Sequence, residues 1–340
     1  SAAAIPTDFK AVNVDNLDDT ASKLTAWAWI KNRDATDNHM LFDRVRGVGN
    51  DWHSNDTAAE VFNANTLQRF LQRGVQIGDD AEVNTDNEAY VLWQWLVGDS
   101  ATTGSTNEEG SIDSTLIVAD HGGFSIGTYT GTGAGATVGH GLSAAPELIF
   151  IKDLDSTTEC LVWSEYTKSS ARAGDGFGFL SSPNAFFDNG PNSYFADTDP
   201  NATVITMNGS TFNTLSKIYN LICFRSIAGV CKVGSYEGNG LANGPYVSLG
   251  FKPAWVMFKS KDSTSDWQIF DSKRNGFNVR NNELEANDTA TEDTSTDFLD
   301  LLSDGFKLRI ATDPNVAETF LYIAMADLGG NGTLPPIYGR

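Results

Sequence analysis

The chain has 340 residues, with 44 Asp plus Glu against 23 Lys plus Arg, giving a formal net charge of −21. A field of that sign repels phosphate backbones at long range, which argues against nucleic acid as a partner. No apolar run approaches the ~18 residues of a membrane-crossing helix, so no membrane insertion is expected.

Aromatic residues make up 11%, and 32 glycines stand against 10 prolines, a balance that suits strands joined by many tight turns. Three cysteines, Cys160, Cys223 and Cys231, are too few for a disulfide framework and read as small buried hydrophobes.

Residues 1–22 show no sustained period of 2 or 3.6 and read as an N-terminal arm or linker. The first β repeat, 23–98, opens on Leu24-Thr25-Ala26-Trp27-Ala28-Trp29-Ile30-Lys31, a run rich in aromatic and β-branched residues closed by lysine. A polar loop leads to a strand ending at Asp43. Val45-Arg46-Gly47, Asp56-Thr57-Ala58-Ala59-Glu60, a glycine-turn hairpin at 70–78 and the closing strand Tyr90-Val91-Leu92-Trp93-Gln94-Trp95 follow. A Gly-, Ser-, Thr- and Glu-rich linker, 99–122, holds one strand candidate at 114–118 and separates the first repeat from the second.

The second repeat, 123–228, begins with a strand at Phe124 running into a glycine turn, then repeats the lysine-closed run as Pro146-Glu147-Leu148-Ile149-Phe150-Ile151-Lys152. Its middle has diverged, with 174–179 and 193–200 in place of the Asp-Thr-Ala segment. The third repeat, 229–328, opens with Lys232-Val233-Gly234-Ser235-Tyr236 and carries Pro253-Ala254-Trp255-Val256-Met257-Phe258-Lys259, Arg274, Asp288-Thr289-Ala290-Thr291-Glu292 and a closing strand at 320–326. Residues 329–340 read as a tail. Repeat one lacks the opening strand of the other two, which predicts an incomplete sheet or an edge borrowed from elsewhere.

Lys31 to Asp43, Lys152 to Ser164 and Lys259 to Asp271 each span 12 positions. Register is fixed jointly by turn length and pattern, so an unchanged spacing marks one hairpin used three times. The expected fold class is all-β, with three tandem antiparallel β-sandwich-like repeat modules. Its structural signature is Lys31, Asp43, Lys152, Ser164, Lys259, Asp271 and Trp267.

Sites of chemistry are weakly signalled. Gly123-Phe124-Ser125-Ile126-Gly127 matches a nucleophile elbow, but that motif needs a turn from strand into helix, and here the same residues open a strand. Gly131-Thr132-Gly133-Ala134-Gly135-Ala136 lacks the Lys-Ser/Thr of a phosphate loop and reads as a hairpin turn. His39, His53, His121 and His140 show no metal-ligand spacing. The acidic runs Asp79-Asp80, Asp86-Asn87-Glu88 and 197–199 could offer oxygens to calcium, but none follows an EF-hand loop. No catalytic residue and no required cofactor is expected. Trp52 and Trp255, with Trp267, are the candidates for a sugar-stacking platform, against which stands the usual role of a strand tryptophan in packing.

Taken together, Ile30-Lys31-Asn32-Arg33, Asp56-Thr57-Ala58-Ala59-Glu60, Tyr236-Glu237-Gly238-Asn239-Gly240, Asp266-Trp267 and Gly305-Phe306-Lys307-Leu308 resemble a repeat domain of uncharacterised function found in structural proteins of marine tailed bacteriophages. Residues 5–13 resemble the end of the concanavalin-like (SPRY) domain that precedes such repeats. The resemblance implies a non-enzymatic virion surface protein of tail-fibre or appendage type, working in assembly and host attachment. Implied partners are other virion proteins, further copies of the chain (a trimer if a fibre) and a host cell-surface glycan. Two alternatives stay open: a capsid (head) decoration protein and a carbohydrate-binding β-sandwich module.

Overall fold

Each lysine-closed run alternates between two apolar faces, so its strand can bury both sides only if something packs on each. The computed structural model describes residues 11–13, 23–71, 74–98, 104–168, 172–209 and 211–326. The expected tail and most of the expected arm, including residues 5–10 of its SPRY-like stretch, lie outside them.

Module one comprises β1 (Ala11–Asn13), β2 (Lys23–Asn32), β3 (Met40–Asp43), β4 (Asn50–His53), β5 (Val61–Phe62), β6 (Leu67–Leu71), β7 (Gly74–Ile77), α1 (Ala81–Asn84) and β8 (Tyr90–Gly98). Its large sheet runs β5-β4-β3-β2-β8 and its small sheet β1-β7-β6. Module two holds β9 (Ser105–Asn107), β10 (Ser114–Val118), β11 (Phe124–Thr130), β12 (Ala136–Gly139), β13 (Leu148–Asp153), β14 (Leu161–Ser164), β15 (Phe177–Phe179), β16 (Val204–Met207) and β17 (Ile218–Phe224). Here the large sheet is β15-β14-β13-β17-β11-β10-β9, over a small pair β12-β16.

Module three holds β18 (Cys231–Glu237), β19 (Tyr246–Ser248), β20 (Pro253–Ser260), β21 (Gln268–Asp271), β22 (Leu284–Glu285), β23 (Leu299–Leu302), β24 (Gly305–Leu308) and β25 (Thr319–Ala326). Its sheets are β18-β25-β20-β21-β22 and β19-β24-β23. The chain is therefore all-β, three antiparallel sandwich-like modules, and the three hairpins share one register. Ile30 opposes Met40, Ile151 opposes Leu161, and Phe258 opposes Gln268, each the residue before the signature lysine against the residue nine beyond it.

Two spans differ from the expectation. The linker at 99–122 contributes β9 and β10, which extend the large sheet of module two beyond β11, so the span belongs to that module. Within the expected arm, β1 pairs with β7 and supplies the third strand of module one's small sheet. β1 and β9 have three residues each, and strands that short carry little period-2 signal.

The alternation along each strand sends its residues to two different cores. On one face, Ile30 and Phe42 meet Leu67 and Val75 of the small sheet in module one; Ile149 and Leu221 meet Ile205 and Met207 in module two. Val256 and Phe258 likewise meet Phe306 and Leu308 in module three. On the other face, Trp27, Trp95, Phe124, Phe224 and Trp255 from all three modules lie in a single core. Trp27 and Trp95 have ring centroids 4.1 Å apart, Trp95 and Trp255 5.6 Å, and Phe124 and Phe224 5.2 Å. The three copies thus close on one another instead of standing in a row.

Candidate functional site

The polar residues that the copies share sit where one module meets the next. A lysine on a buried strand is costly unless its ammonium finds acceptors. Lys31 Nζ donates to the carbonyls of Asn32 (2.7 Å) and Ala35 (3.1 Å) in its own loop and of Thr289 (3.2 Å) in module three. Lys152 reaches the Thr158 carbonyl (2.5 Å) in its own loop and that of Thr57 (3.0 Å) in module one. Lys259 does the same with Ser260 (3.2 Å) and with Pro183 (2.9 Å) of module two.

The ring of contacts is cyclic, one to three, two to one, three to two. Backbone bonds repeat it. The N–H of Glu292 donates to the Arg33 carbonyl (2.9 Å), that of Glu60 to Leu154 (2.9 Å), and that of Phe186 to Lys261 (3.1 Å). In each case the acceptor lies two residues past the signature lysine and the donor three past the residue whose carbonyl that lysine caps. The chain consequently has internal pseudo-threefold symmetry. Burial draws Lys31 and Lys259 down to about 8 and lowers Lys152, with neighbouring carboxylates pulling the other way.

Behind two of the junctions lies an ion triad. In module one, Arg46 binds Asp43 and Glu60 (2.6 Å) and also donates to the Leu41 (3.0 Å) and Asn50 (3.2 Å) carbonyls. The Asp43 and Arg46 side chains are almost wholly buried. In module three, Arg274 binds Asp271 (2.5 Å), Glu292 (2.9 Å) and the Ile269 carbonyl (2.9 Å).

Glu292 also takes two bonds from Arg33 of module one, at 3.0 and 2.7 Å, and Asp271 accepts from the Trp93 indole at 3.0 Å. Burial opposes the charge of Arg46, but Asp43 and Glu60 outweigh it and hold the guanidinium above its ordinary value. Burial pushes Glu60 up against the pull of Arg46; its carboxylate keeps some solvent and a 2.6 Å guanidinium contact, so the ion pair is the state that fits the geometry. Asp271, desolvated yet facing Arg274, lies below its usual range.

Module two has no triad. Ser164, Thr167 and Phe186 stand in the three places. Ser164 Oγ donates to the Glu147 carbonyl (2.7 Å), Thr167 Oγ1 to that of Gly176 (2.7 Å), and Phe186 packs edge-on against Trp267 (5.9 Å). All three charges are gone together, the change that leaves no buried ion without a partner.

The signature Lys31, Asp43, Lys152, Ser164, Lys259 and Asp271 is thus brought into one repeating arrangement. Trp267 belongs to the shared core and donates to the Phe179 carbonyl (2.9 Å). Trp52 and Trp255 are buried in that same core, 1% and 6% exposed, and offer no face to a sugar; Trp52 donates to Asn220 instead (3.1 Å). Sequence reasoning aligned Arg46 with Arg274 and Glu60 with Glu292 without seeing that they bind the signature aspartates. The three-residue step from aspartate to arginine in both copies was the available signal.

The remaining candidates resolve as structural groups. Ser125 lies on β11 and donates to the His140 carbonyl (2.7 Å) with no helix behind it. Gly131 to Gly135 joins β11 to β12, which begins at Ala136. His39 accepts from the Trp29 indole (2.8 Å), and His140 meets the Asn201 carbonyl (3.1 Å). His53 lies between Asp56 (2.8 Å) and Asp51 (3.4 Å), which overcome its burial and raise it to about 9.

Acidic oxygens of the proposed calcium runs accept protein donors: Asp80 caps α1, and Asp197 takes the Asn192 and Ser193 amides. Among the described residues no group of three or more His, Cys, Asp or Glu is placed to hold a metal ion. All three cysteines are free and buried, and burial raises Cys160 to about 12 and Cys231 to about 11.

No curated protein and no solved structure matches this chain. A family model does match residues 18–328, the span from the first lysine-closed run to the last closing strand, so the chain belongs to the family described as a domain of unknown function, DUF7483.

Proposed function

We propose that the chain is a non-enzymatic structural component of the exterior of a tailed-bacteriophage particle, of tail-fibre or appendage type, acting in assembly and attachment. One observation carries this reading. The charged residues that the copies share are engaged inside the body: Lys31 caps Thr289 of module three, Asp43 accepts from Asn220 of module two, Asp271 and Glu292 accept from Trp93 and Arg33 of module one, and Arg46 and Arg274 tie the acids together within their own modules. Reactive groups at a catalytic centre converge instead on a space where substrate can sit. A fold that commits its shared polar residues to its own closure is a rigid body with surface loops free to vary, which suits a scaffold.

The internal pseudo-threefold axis favours a second reading, capsid decoration, because one copy can then present three related faces to a threefold arrangement of neighbours. A trimeric fibre would need an axis other than the internal one, since the aromatic core already fills that position. Quantitative mass spectrometry of purified particles, with immunogold labelling, tests both. Stoichiometric copies on the tail support the first, and labelling over the head supports the second. Absence from purified particles rejects the virion assignment.

A further inference from the structure

Outer strands of the large sheets are mostly blunted. β5 and β22 have two residues each and β9 and β15 three, while β18 carries Lys232 and Glu237. Short or charged edges are how sheets avoid unwanted pairing. β8 is the exception: nine residues, Tyr90-Val91-Leu92-Trp93-Gln94-Trp95-Leu96-Val97-Gly98, without a charge. Among the described strands it pairs with β2 alone.

In the other two modules the corresponding edge is covered. β11 lies on β17 and β18 lies on β25, in the same register. Ile126 and Val233 oppose the positions of Trp93, Gly127 and Gly234 those of Leu92, Thr128 and Ser235 those of Val91, and Tyr129 and Tyr236 those of Tyr90. Each of those tyrosines stacks on its cross-strand aromatic, Tyr129 on Tyr219 at 5.0 Å and Tyr236 on Phe320 at 5.4 Å. Each also anchors a loop, through the carbonyls of Phe212 (2.5 Å) and Pro314 (2.6 Å). That no described strand covers this edge agrees with the burial: Trp93 is 7% exposed where Ile222 and Ile323 are 1% and 2%, and Leu92 is half-buried where its counterparts Leu221 and Tyr322 are buried.

We infer that the outer edge of β8 is a docking seat for one extended strand of a partner polypeptide, added antiparallel in the register of β11 and β18. The occupant carries a β-branched residue opposite Trp93, a small residue opposite Leu92, Ser or Thr opposite Val91 and Tyr opposite Tyr90. The pattern Ile/Val-Gly-Ser/Thr-Tyr occurs twice in the 340 residues, at 126–129 and 233–236, and both occurrences are already paired within their own modules. Backbone hydrogen bonds would supply affinity, and the Tyr90 stack with the Trp93 contact would supply register. The inference goes beyond the virion reading and holds whether or not that reading survives.

The test adds a peptide with the sequence of Phe124–Thr130, flanked by lysines for solubility, to the full chain and follows amide exchange along β8. Binding should slow exchange at every second amide between Tyr90 and Val97 by about tenfold or more at peptide concentrations up to ~1 mM. Tyr→Ala in the peptide, or N-methylation of its alternate amides, should weaken binding about tenfold or abolish it. No protection by the parent peptide at that concentration overturns the proposal. So do β8 amides that exchange as slowly as those of β25 before any peptide is added, which would mean the edge is already occupied. Protection that rises with the concentration of the chain alone would assign the seat to a second copy and likewise overturn it.

Discussion

Removing Arg46 should be one of the most damaging single changes in module one. Its side chain, 2% exposed, holds Asp43, whose own side chain is fully buried, together with Glu60. In Arg46→Ala the Asp43 carboxylate keeps the Val45 and Arg46 amides (3.0 Å each) and the Asn220 amide (3.1 Å) but loses its counter-ion, and two carbonyls lose a donor. Stranding a buried charge in this way costs about 3–5 kcal/mol. At about 2 °C per kcal/mol for a body of this size, Tm should fall by about 6–10 °C.

The repair is written in module two. Asp43→Ser with Arg46→Thr imports its neutral pair, and Ser164 there bonds the Glu147 carbonyl, whose counterpart in module one, that of Ala26, accepts from the Arg44 amide as Glu147 does from Glu165. Glu60 keeps 24% side-chain exposure and can turn to water. The double variant should therefore recover to within about 1–2 kcal/mol of the parent. Guanidinium unfolding followed by tryptophan fluorescence measures both. A loss below about 1 kcal/mol for Arg46→Ala, or a double variant less stable than the single one, would refute the ion-triad account.

The remaining predictions concern the closure and its titrating groups. Because one core draws on all three modules, the full chain should unfold in a single transition, with fluorescence and far-UV circular dichroism coincident; three resolved steps would contradict the shared core. Lys259→Met removes the donor to Pro183 and should cost about 1–3 kcal/mol, and Lys31→Met at the equivalent junction should cost about as much; changes below ~0.5 kcal/mol would show that the junctions hold without them.

Burial raises Glu283 from 4.5 to about 8 and Glu285 to about 7. The folded state then binds more protons than the unfolded one between about pH 4.5 and 8, so stability falls as pH rises through that window. Urea unfolding at several pH values should show that slope, and Glu283→Gln should flatten it; an unchanged slope removes Glu283 as its source. His53, raised from 6.5 to about 9, contributes stability that is full below 6.5 and lost as pH climbs through 9. His53→Gln should remove that alkaline component, and an unaltered profile above pH 7 would count against it.

Period and spacing made much of this architecture readable. The lysine-closed runs announced strands because β-branched and aromatic residues alternate there without glycine, and the equal step from lysine to Asp43, Ser164 and Asp271 announced one hairpin in three copies. Two complete copies likewise defined the opening strand that the first repeat's sequence lacks, and among the described strands β8 pairs with β2 alone. β1 and β9 were not readable: three residues each, they are held by pairing with strands distant along the chain or outside the repeat pattern. The candidate platform residues Trp52 and Trp255 fared similarly, because a strand tryptophan has the same local sequence whether its ring faces water or a core.

What the sequence determined by itself was the module: hairpin register, turn positions and the two-faced apolar pattern are all local or repeated properties of the chain. What only the tertiary structure decided was the use of the second face. Alternation states that both sides of β2, β13 and β20 are apolar, but not that three such sides meet one another. Closure is a matter of which distant surfaces come together, and it is closure that sets Lys31 against Thr289 and Arg33 against Glu292 across more than 250 residues of chain.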